Sequence, residues 1–428
     1  QILSLIHEIM IAFFQLYKAI KNLKFKNKHR LINKISNKKT LIVSHADKPY
    51  QLYSDNDIYY GKRSCHNADF CILNKTDKIF NHNVLPKNFI QKNHIFSIET
   101  RNVNLFILIK IYIRMIGTSL KILFYWLKSP FCGERTCLFV QSFSHETFLN
   151  FFISSQLKKI LDNNSYESVI TTWEGYPWER ILAHYCNEKK IKIFGYIHAG
   201  PFPSQYSAYR KMPDIFYPYK FLTPTEISKK LLKKYFNYES DIVGSHKFYS
   251  NFFNFGSKLT SNLRKDSRKK ILLLPQGTMK EVRDICELAF LMNFDQLDII
   301  LRLHPSLINN KEINKLINNL KNDSSIKNLI KISDDNLRND INKSAYFLYR
   351  GSTSAIEAAS FGLTPIYCVS QDAFNSKLNS LDGISLPPML KVRNSKDLGN
   401  ILRKGIKFDI SQIIKEIYSK PISFESLI

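Results

Sequence analysis

Short apolar runs recur along this chain, each followed by a polar turn and then by a segment whose apolar residues repeat with helical spacing. Thr40–Ser44, Cys137–Gln141, Ser168–Thr172, Ile191–Ile197 and Phe221–Pro224 read as strands, and helical spacing fits Glu146–Leu161, Pro177–Asn187 and Thr225–Phe236. This alternation of strands and helices implies a parallel sheet wrapped by helices. A polar, basic stretch at Ser257–Arg268 interrupts the series, and a second one begins. Its strands are Lys270–Leu274, Asp298–Leu303, Leu329–Ile332, Ala345–Tyr349 and Pro365–Val369, with helices over Lys280–Met292, Asn310–Asn322 and Ser354–Phe361. Two βα series predict an α/β chain of two doubly wound, Rossmann-like domains. Their expected bounds are 1–256 and 257–394, and a helical tail over 395–428 is expected to pack back on the first. Residues 48–100 mix aromatic and Asn-rich turns and yield no clear elements.

Val103–Leu127 is the most hydrophobic segment. Lys110, Arg114 and Lys121 lie inside it, which argues against a membrane span. Two readings stay open: a pair of core helices broken near Gly117, or a helix lying in a lipid interface. Ile2–Ile20 is amphipathic and carries His7, Glu8, Gln15 and Lys18. No secretory leader is recognised, and the chain opens at Gln1 without Met, which leaves room for residues upstream.

A formal net charge of +26 speaks to partners and not to fold. Lys21–Lys39 holds eight Lys and Arg and no acid, so it is either a solvated helix end or a patch for anionic headgroups. No RNA- or DNA-binding pattern accompanies the charge, so nucleic acid is not expected as a partner. Seven scattered cysteines, including Cys132 and Cys137 without a second pair to complete a zinc site, suit reduced thiols.

The candidate chemistry lies at carboxyl ends of strands, where open α/β sheets bind ligands. Tyr349-Arg-Gly-Ser-Thr-Ser-Ala-Ile-Glu357 reads as a strand, a tight turn at Gly351, and a helix opening with Ser352, Thr353 and Ser354. Those hydroxyls and N–H groups suit a phosphate, and Glu357 suits ribose hydroxyls; an ordinary βα turn with a Ser cap would look similar. His304, followed by Pro305, ends the strand Asp298–Leu303 and can donate to a phosphate, neutral or charged. Gln276 and Gly277 follow the first strand of the second series. Arg302 and Arg350 are nearby cations or structural ion-pair partners. In the first series Trp173-Glu174-Gly175-Tyr176-Pro177-Trp178-Glu179 ends a strand. Its aromatic rings suit a sugar face, and a carboxylate there suits a general base. Glu174 is the first choice, with Asp47, Glu179 and His198 as competitors.

The order of these motifs, an acidic Glu174-Gly175 turn, then His304-Pro305, then Gly351-Ser352-Thr353 leading to Glu357, resembles the GT-B glycosyltransferases that use CMP-activated sugars, the bacterial sialyl-, polysialyl- and Kdo-transferase group. Trp173–Glu179 followed by Gly195-Tyr-Ile-His-Ala-Gly200 is similar to proteins of surface-carbohydrate biosynthesis. The resemblance covers roughly Ser168 to Tyr367. It implies the GT-B fold, two Rossmann-like domains facing a central cleft, and transfer of a Kdo- or nonulosonate-type acidic sugar from CMP onto a surface glycan or glycolipid. It implies Glu174 and His304 as catalytic residues. The nucleotide would be held by Gln276, Gly277, His304, Pro305, Gly351, Ser352, Thr353, Ser354 and Glu357. Trp173, Gly175, Trp178 and His198 would line the acceptor side. No obligate cofactor or metal is expected, because His, hydroxyl and helix-end donors can stabilise a leaving phosphate. The expected location is the bacterial cytoplasm, peripheral on the membrane. A UDP- or GDP-sugar transferase, or a teichoic-type polyol-phosphate transferase, is the enzymatic alternative; a non-catalytic basic protein binding membrane or nucleic acid is the other.

Overall fold

The computed structural model describes residues 10, 24–25, 36–75, 95–99, 102–103, 105–127, 141–198, 208, 210–246, 270–290, 298–304, 307–308, 310–322, 329–370, 381, 390–406 and 419–424. The chain divides into two compact units: Gln1–Tyr196 with Ser207–Phe221 and Ser423–Ile428, and Ile197–Tyr206 with Leu222–Ile422.

Seven strands form the first large sheet: β1 (Thr40–Ala46), β2 (Asp69–Asn74), β3 (Ile95–Glu99), β4 (Ser168–Thr172), β5 (Lys192–Tyr196), β6 (Lys220–Thr223) and β7 (Ser240–Ile242), in the order β7-β6-β5-β4-β1-β2-β3. β1 pairs in parallel with β2 and β4. Six strands form the second: β8 (Lys270–Leu274), β9 (Asp298–Leu301), β10 (Leu329–Ile332), β11 (Tyr346–Tyr349), β12 (Thr364–Cys368) and β13 (Lys391–Val392), in the order β10-β9-β8-β11-β12-β13. All the pairings of this sheet are parallel. In each sheet the first strand lies inside, with its next two partners on one side and the later strands on the other, which is the doubly wound order.

The helices are α1 (Pro49–Tyr53), α2 (Leu105–Leu127), α3 (His145–Asp162), α4 (Pro177–Glu188), α5 (Glu226–Phe236), α6 (Met279–Phe290), α7 (Lys311–Asn322), α8 (Leu337–Asn342), α9 (Ser354–Ser360) and α10 (Ser395–Lys404). The second sheet shows why its strands read as continuous apolar runs. Ile271, Leu273, Ile299, Leu301 and Leu348 pack on one face with Val282 and Ile285 of α6 and Leu398 and Ile401 of α10. Leu272, Leu274, Ile300, Phe347 and Tyr349 pack on the other with Ala355, Ile356 and Ala359 of α9 and Ile227 and Leu231 of α5. Successive residues of one strand thus enter opposite cores, and no polar face remains.

Two α/β doubly wound sheets in one chain agree with the expected fold class. The expected break of Val103–Leu127 at Gly117 does not occur, because α2 is one helix of 23 residues. A Cβ at Gly117 would meet nothing within 4 Å, so this glycine is tolerated in mid-helix without marking a turn. Among the described residues no helix is long and apolar enough to cross a membrane. Residues 48–68, illegible in the sequence, hold α1 and a short hairpin, Asn56–Asp57 with Gly61–Lys62. A buried ion pair fixes this segment: Arg63 bonds Asp57 at 3.2 Å and donates to the carbonyls of Ser54 and Gln51. Among the described cysteines, Cys65, Cys71, Cys186, Cys286 and Cys368 are free thiols. Residues 137–140 of the expected strand Cys137–Gln141, the stretch Ser257–Arg268, and most of Ile2–Ile20 and Lys21–Lys39 lie outside the described residues.

Candidate functional site

In the second unit, three expected motifs follow three strands that are neighbours in the sheet. His304 lies beyond β9, Gln276 and Gly277 beyond β8, and Gly351–Ser354 beyond β11, and the order β9-β8-β11 makes them neighbours at the carboxyl edge. The crevice between β8 and β11 is the topological switch point, where doubly wound sheets bind ligands.

Glu281 joins the two turns. It stands in the first turn of α6, is 1% exposed, and accepts a hydrogen bond from the Gly351 N–H at 3.4 Å. Burial raises its pKa, and the N–H of Gln276, the charge of Arg350 and the N–H of Gly351 act against that rise. Glu281 stands outside every candidate-site motif of the sequence. Thr278-Met-Lys-Glu281 has capping-box spacing, and Thr278 does accept from the Glu281 N–H at 3.4 Å. The carboxylate, however, serves the neighbouring turn.

Arg350 and Arg302 are structural. Arg350 is buried; it pairs with Asp284 at 3.1 Å and donates to the Cys368 carbonyl at 3.1 Å, tying the turn to α6 and β12. Arg302 donates to the Asp335 carbonyl and to Asp340 at 2.7 and 2.9 Å. Ser352, Thr353 and Ser354 are half-buried, and Thr353 makes no side-chain cap for α9. Glu357, 6% exposed, lies in the first turn of α9. His304 is exposed on the surface, and partial desolvation lowers its pKa. Pro305 lies outside the described residues.

In the first unit, β1 and β4 are adjacent and form the corresponding switch point. His45, near the end of β1, is buried; its Nε2 lies 3.3 Å from Thr172 Oγ1 at the end of β4. Trp178 and Tyr59 meet its ring edge-on, at centroid distances of 5.8 and 6.1 Å. Glu174 is half-buried beside them. Burial raises the Tyr176 pKa, as do the charge of Glu174 and a hydrogen bond to it. Tyr59 is likewise raised by burial, then by Glu174 and Asp47. Two tyrosine hydroxyls, two carboxylates and an imidazole therefore share this edge.

Glu179 has a different place from Glu174. It is fully buried, and its Oε2 accepts from the N–H groups of Glu174, Gly175 and Tyr176 at 3.0, 2.7 and 2.9 Å. Burial pushes its carboxyl well up, and those N–H donors pull the other way. It braces the turn that carries Glu174. Gly175 adopts φ +80°, the left-handed region where a side chain is strained. Trp173, expected on the sugar side, is 2% exposed; its Nε1 donates to the Ala208 carbonyl at 3.2 Å, and Arg180 covers its ring. Its indole is part of the core and not of an open binding face. Trp178 is also buried, and its ring meets that of His45. His198 lies half-buried just past β5. His45 and Tyr59 were missed as site residues: His45 was visible at a strand end, whereas Tyr59 sat in the illegible segment. Among the described residues no three His, Cys, Asp or Glu side chains converge as metal ligands.

The sequence matches no family model and no curated protein. Solved structures of similar build exist. A UDP-GlcNAc 2-epimerase from Methanocaldococcus jannaschii is 15% identical, with 91% of this chain and 98% of that one covered and a TM-score of 0.46. The S. aureus MnaA–UDP structure is 12% identical, over 90% and 92%, at a TM-score of 0.47. A glycosyltransferase from Rickettsia africae is 14% identical, over 89% and 92%, at a TM-score of 0.44. Likeness at this level assigns neither substrate nor reaction, and no comparison supports a CMP donor.

Proposed function

We propose that the chain is a nucleotide-sugar-dependent glycosyltransferase of the GT-B kind. The observation that carries the reading is the strand order. It brings the Gln276–Gly277 and Gly351–Ser354 motifs to one switch point, with His304 at the end of the neighbouring strand, and the Glu174 turn to another. The second unit is assigned the nucleotide: the hydroxyls and N–H groups of Ser352, Thr353 and Ser354 for phosphate, and Glu357 for ribose. A neutral His304 would donate to the leaving phosphate, as preorganised donors do where charge develops. The first unit is assigned the acceptor, with Glu174 as the base that takes its hydroxyl proton. No metal or cofactor is assigned a part. The resemblance of the motifs favours CMP as the nucleotide of the donor; UDP is the alternative, and a bacterial surface glycan is the acceptor class.

Thermal unfolding with CMP, CDP, UDP and GDP tests the reading. One nucleotide should raise the midpoint, and Glu357→Ala should weaken its binding by roughly 1–3 kcal/mol if the carboxylate holds ribose hydroxyls. Stabilisation by CMP above the others supports the acidic-sugar donor, and stabilisation by UDP replaces it. Absence of stabilisation by all four would remove the transferase reading.

A further inference from the structure

Helix α2 has three faces. Leu108, Ile111 and Met115 are buried, and Ser119 bonds Ser142 at 2.6 Å, so one side is fastened to the protein. Tyr112 stacks on Phe148 of α3 at 5.4 Å on the same side. A second side carries Phe106, Ile109, Ile113, Ile116, Leu120 and Phe124, all exposed, with Ile113 at 65% and Leu120 at 59%. Their spacings of three and four residues put them on one stripe. Eighteen residues separate the ends, so at about 1.5 Å per residue the stripe is about 27 Å long. The third side carries Lys110, Arg114 and Lys121, all exposed, again at spacings that align them, directly beside the stripe.

Soluble proteins seldom leave so long a continuous apolar face to water. What covers it is indicated by the cations alongside. Leu105–Leu127 contains no Asp or Glu, and the chain carries a net charge of +26. A second copy meeting this face would bring a like-charged cation row and no acid on the helix to receive it. An anionic bilayer surface satisfies both sides at once: acyl chains take the stripe, and headgroups take the cations. Because the opposite side of α2 is fastened to the protein, the helix must lie in the membrane plane.

We propose that α2 is a membrane-docking helix that seats Ile109, Ile113, Ile116 and Leu120 in the interface of an anionic bilayer, with Lys110, Arg114 and Lys121 on the headgroups. The proposal is independent of the transferase reading, since no nucleotide enters it.

Sedimentation of the full chain with phosphatidylcholine vesicles, with and without phosphatidylglycerol, tests it. The chain should pellet with the anionic vesicles and stay in solution with the neutral ones. Lys110→Gln, Arg114→Gln and Lys121→Gln together should weaken the anionic binding about a hundredfold, at the usual contribution of one basic residue near a charged surface. Ile113→Ser with Leu120→Ser should abolish it while keeping the parent melting midpoint. Ile113→Trp adds a readout that needs no loss of function: indole emission should shift to the blue when anionic vesicles are added. Unchanged vesicle binding in both variants, or an unshifted emission, would overturn the proposal. So would a dimer on gel filtration that the serine pair converts to monomer while no form of the chain pellets, since that result assigns the face to a second copy.

Discussion

Glu174 and Glu179 are five residues apart in the chain, and their surroundings give them different tasks. Glu179 is fully buried and takes three backbone N–H groups on one oxygen. Glu174 is half-buried beside Tyr176, whose hydroxyl it holds. Glu179→Gln sets an amide where the donors need a carboxylate, and it should cost about 1–3 kcal/mol, read by urea unfolding. Glu174→Gln should leave the urea midpoint near the parent value and cut sugar transfer by about a hundred- to ten-thousandfold. A Glu174→Gln chain that transfers within about tenfold of the parent would move the base to Asp47 or His198. His304 carries a pH prediction. Its pKa lies below the ordinary 6.5. The unfolded chain therefore takes up the proton first, so any stability from this group is present above 6.5 and lost as pH falls below it. At neutral pH the ring is uncharged and acts through one N–H. If the neutral ring suffices, the transfer rate should not fall as pH rises through 6.5, and His304→Ala should lower it by about a hundredfold or more. A rate that falls as pH rises towards 6.5 would require a charged imidazole instead.

At the scale of elements, the sequence made most of both sheets legible, because parallel strands covered on both faces spell themselves as apolar runs. β8, Lys-Ile-Leu-Leu-Leu, is such a run, and its neighbours in both cores explain it. The segment between β1 and β2 was not legible, because its shape depends on a buried pairing of Arg63 with Asp57 that no local pattern announces. The bracing role of Glu281 was hidden for a related reason: its partner, Gly351, lies 70 residues away. The tail was expected to pack back, but no local pattern announces its particular partners. Ser419 donates to the Pro224 carbonyl at 2.9 Å, and the Ser245 N–H to the Lys420 carbonyl at 3.1 Å. Gly244, at φ +89°, sits beneath, and a Cβ there would come within 2.3 Å of the Lys420 carbonyl oxygen. Gly244→Ala should therefore destabilise the second unit by about 1–3 kcal/mol or more through strain and displacement of the tail. Chemical denaturation reads this, and an unchanged midpoint would mean that residues 419–421 contribute little to folding.

At the scale of the whole molecule, two sheets with the same doubly wound order give the chain two switch points, and each unit has its own set of polar groups there. The assignment of nucleotide to the second unit alone makes a prediction about where protection appears. A ligand that binds only the folded state adds RT ln(1 + [L]/Kd), about 2.7 kcal/mol at a hundred times Kd. For amides that exchange by local opening of the occupied turns, that corresponds to a slowing of about a hundredfold. Hydrogen exchange with the stabilising nucleotide should show it in peptides covering Pro275–Glu281 and Arg350–Glu357, the two turns that Glu281 fastens together. Peptides covering His45–Tyr59 and Thr172–Glu179 should exchange as before, because the groups there are assigned to the acceptor. Protection that appears first at His45 and Glu174 would reverse the assignment of the two units, even if the same nucleotide raised the melting midpoint. The peptide map therefore discriminates where a thermal shift does not: the midpoint reports that a nucleotide binds, and the exchange pattern reports which switch point holds it.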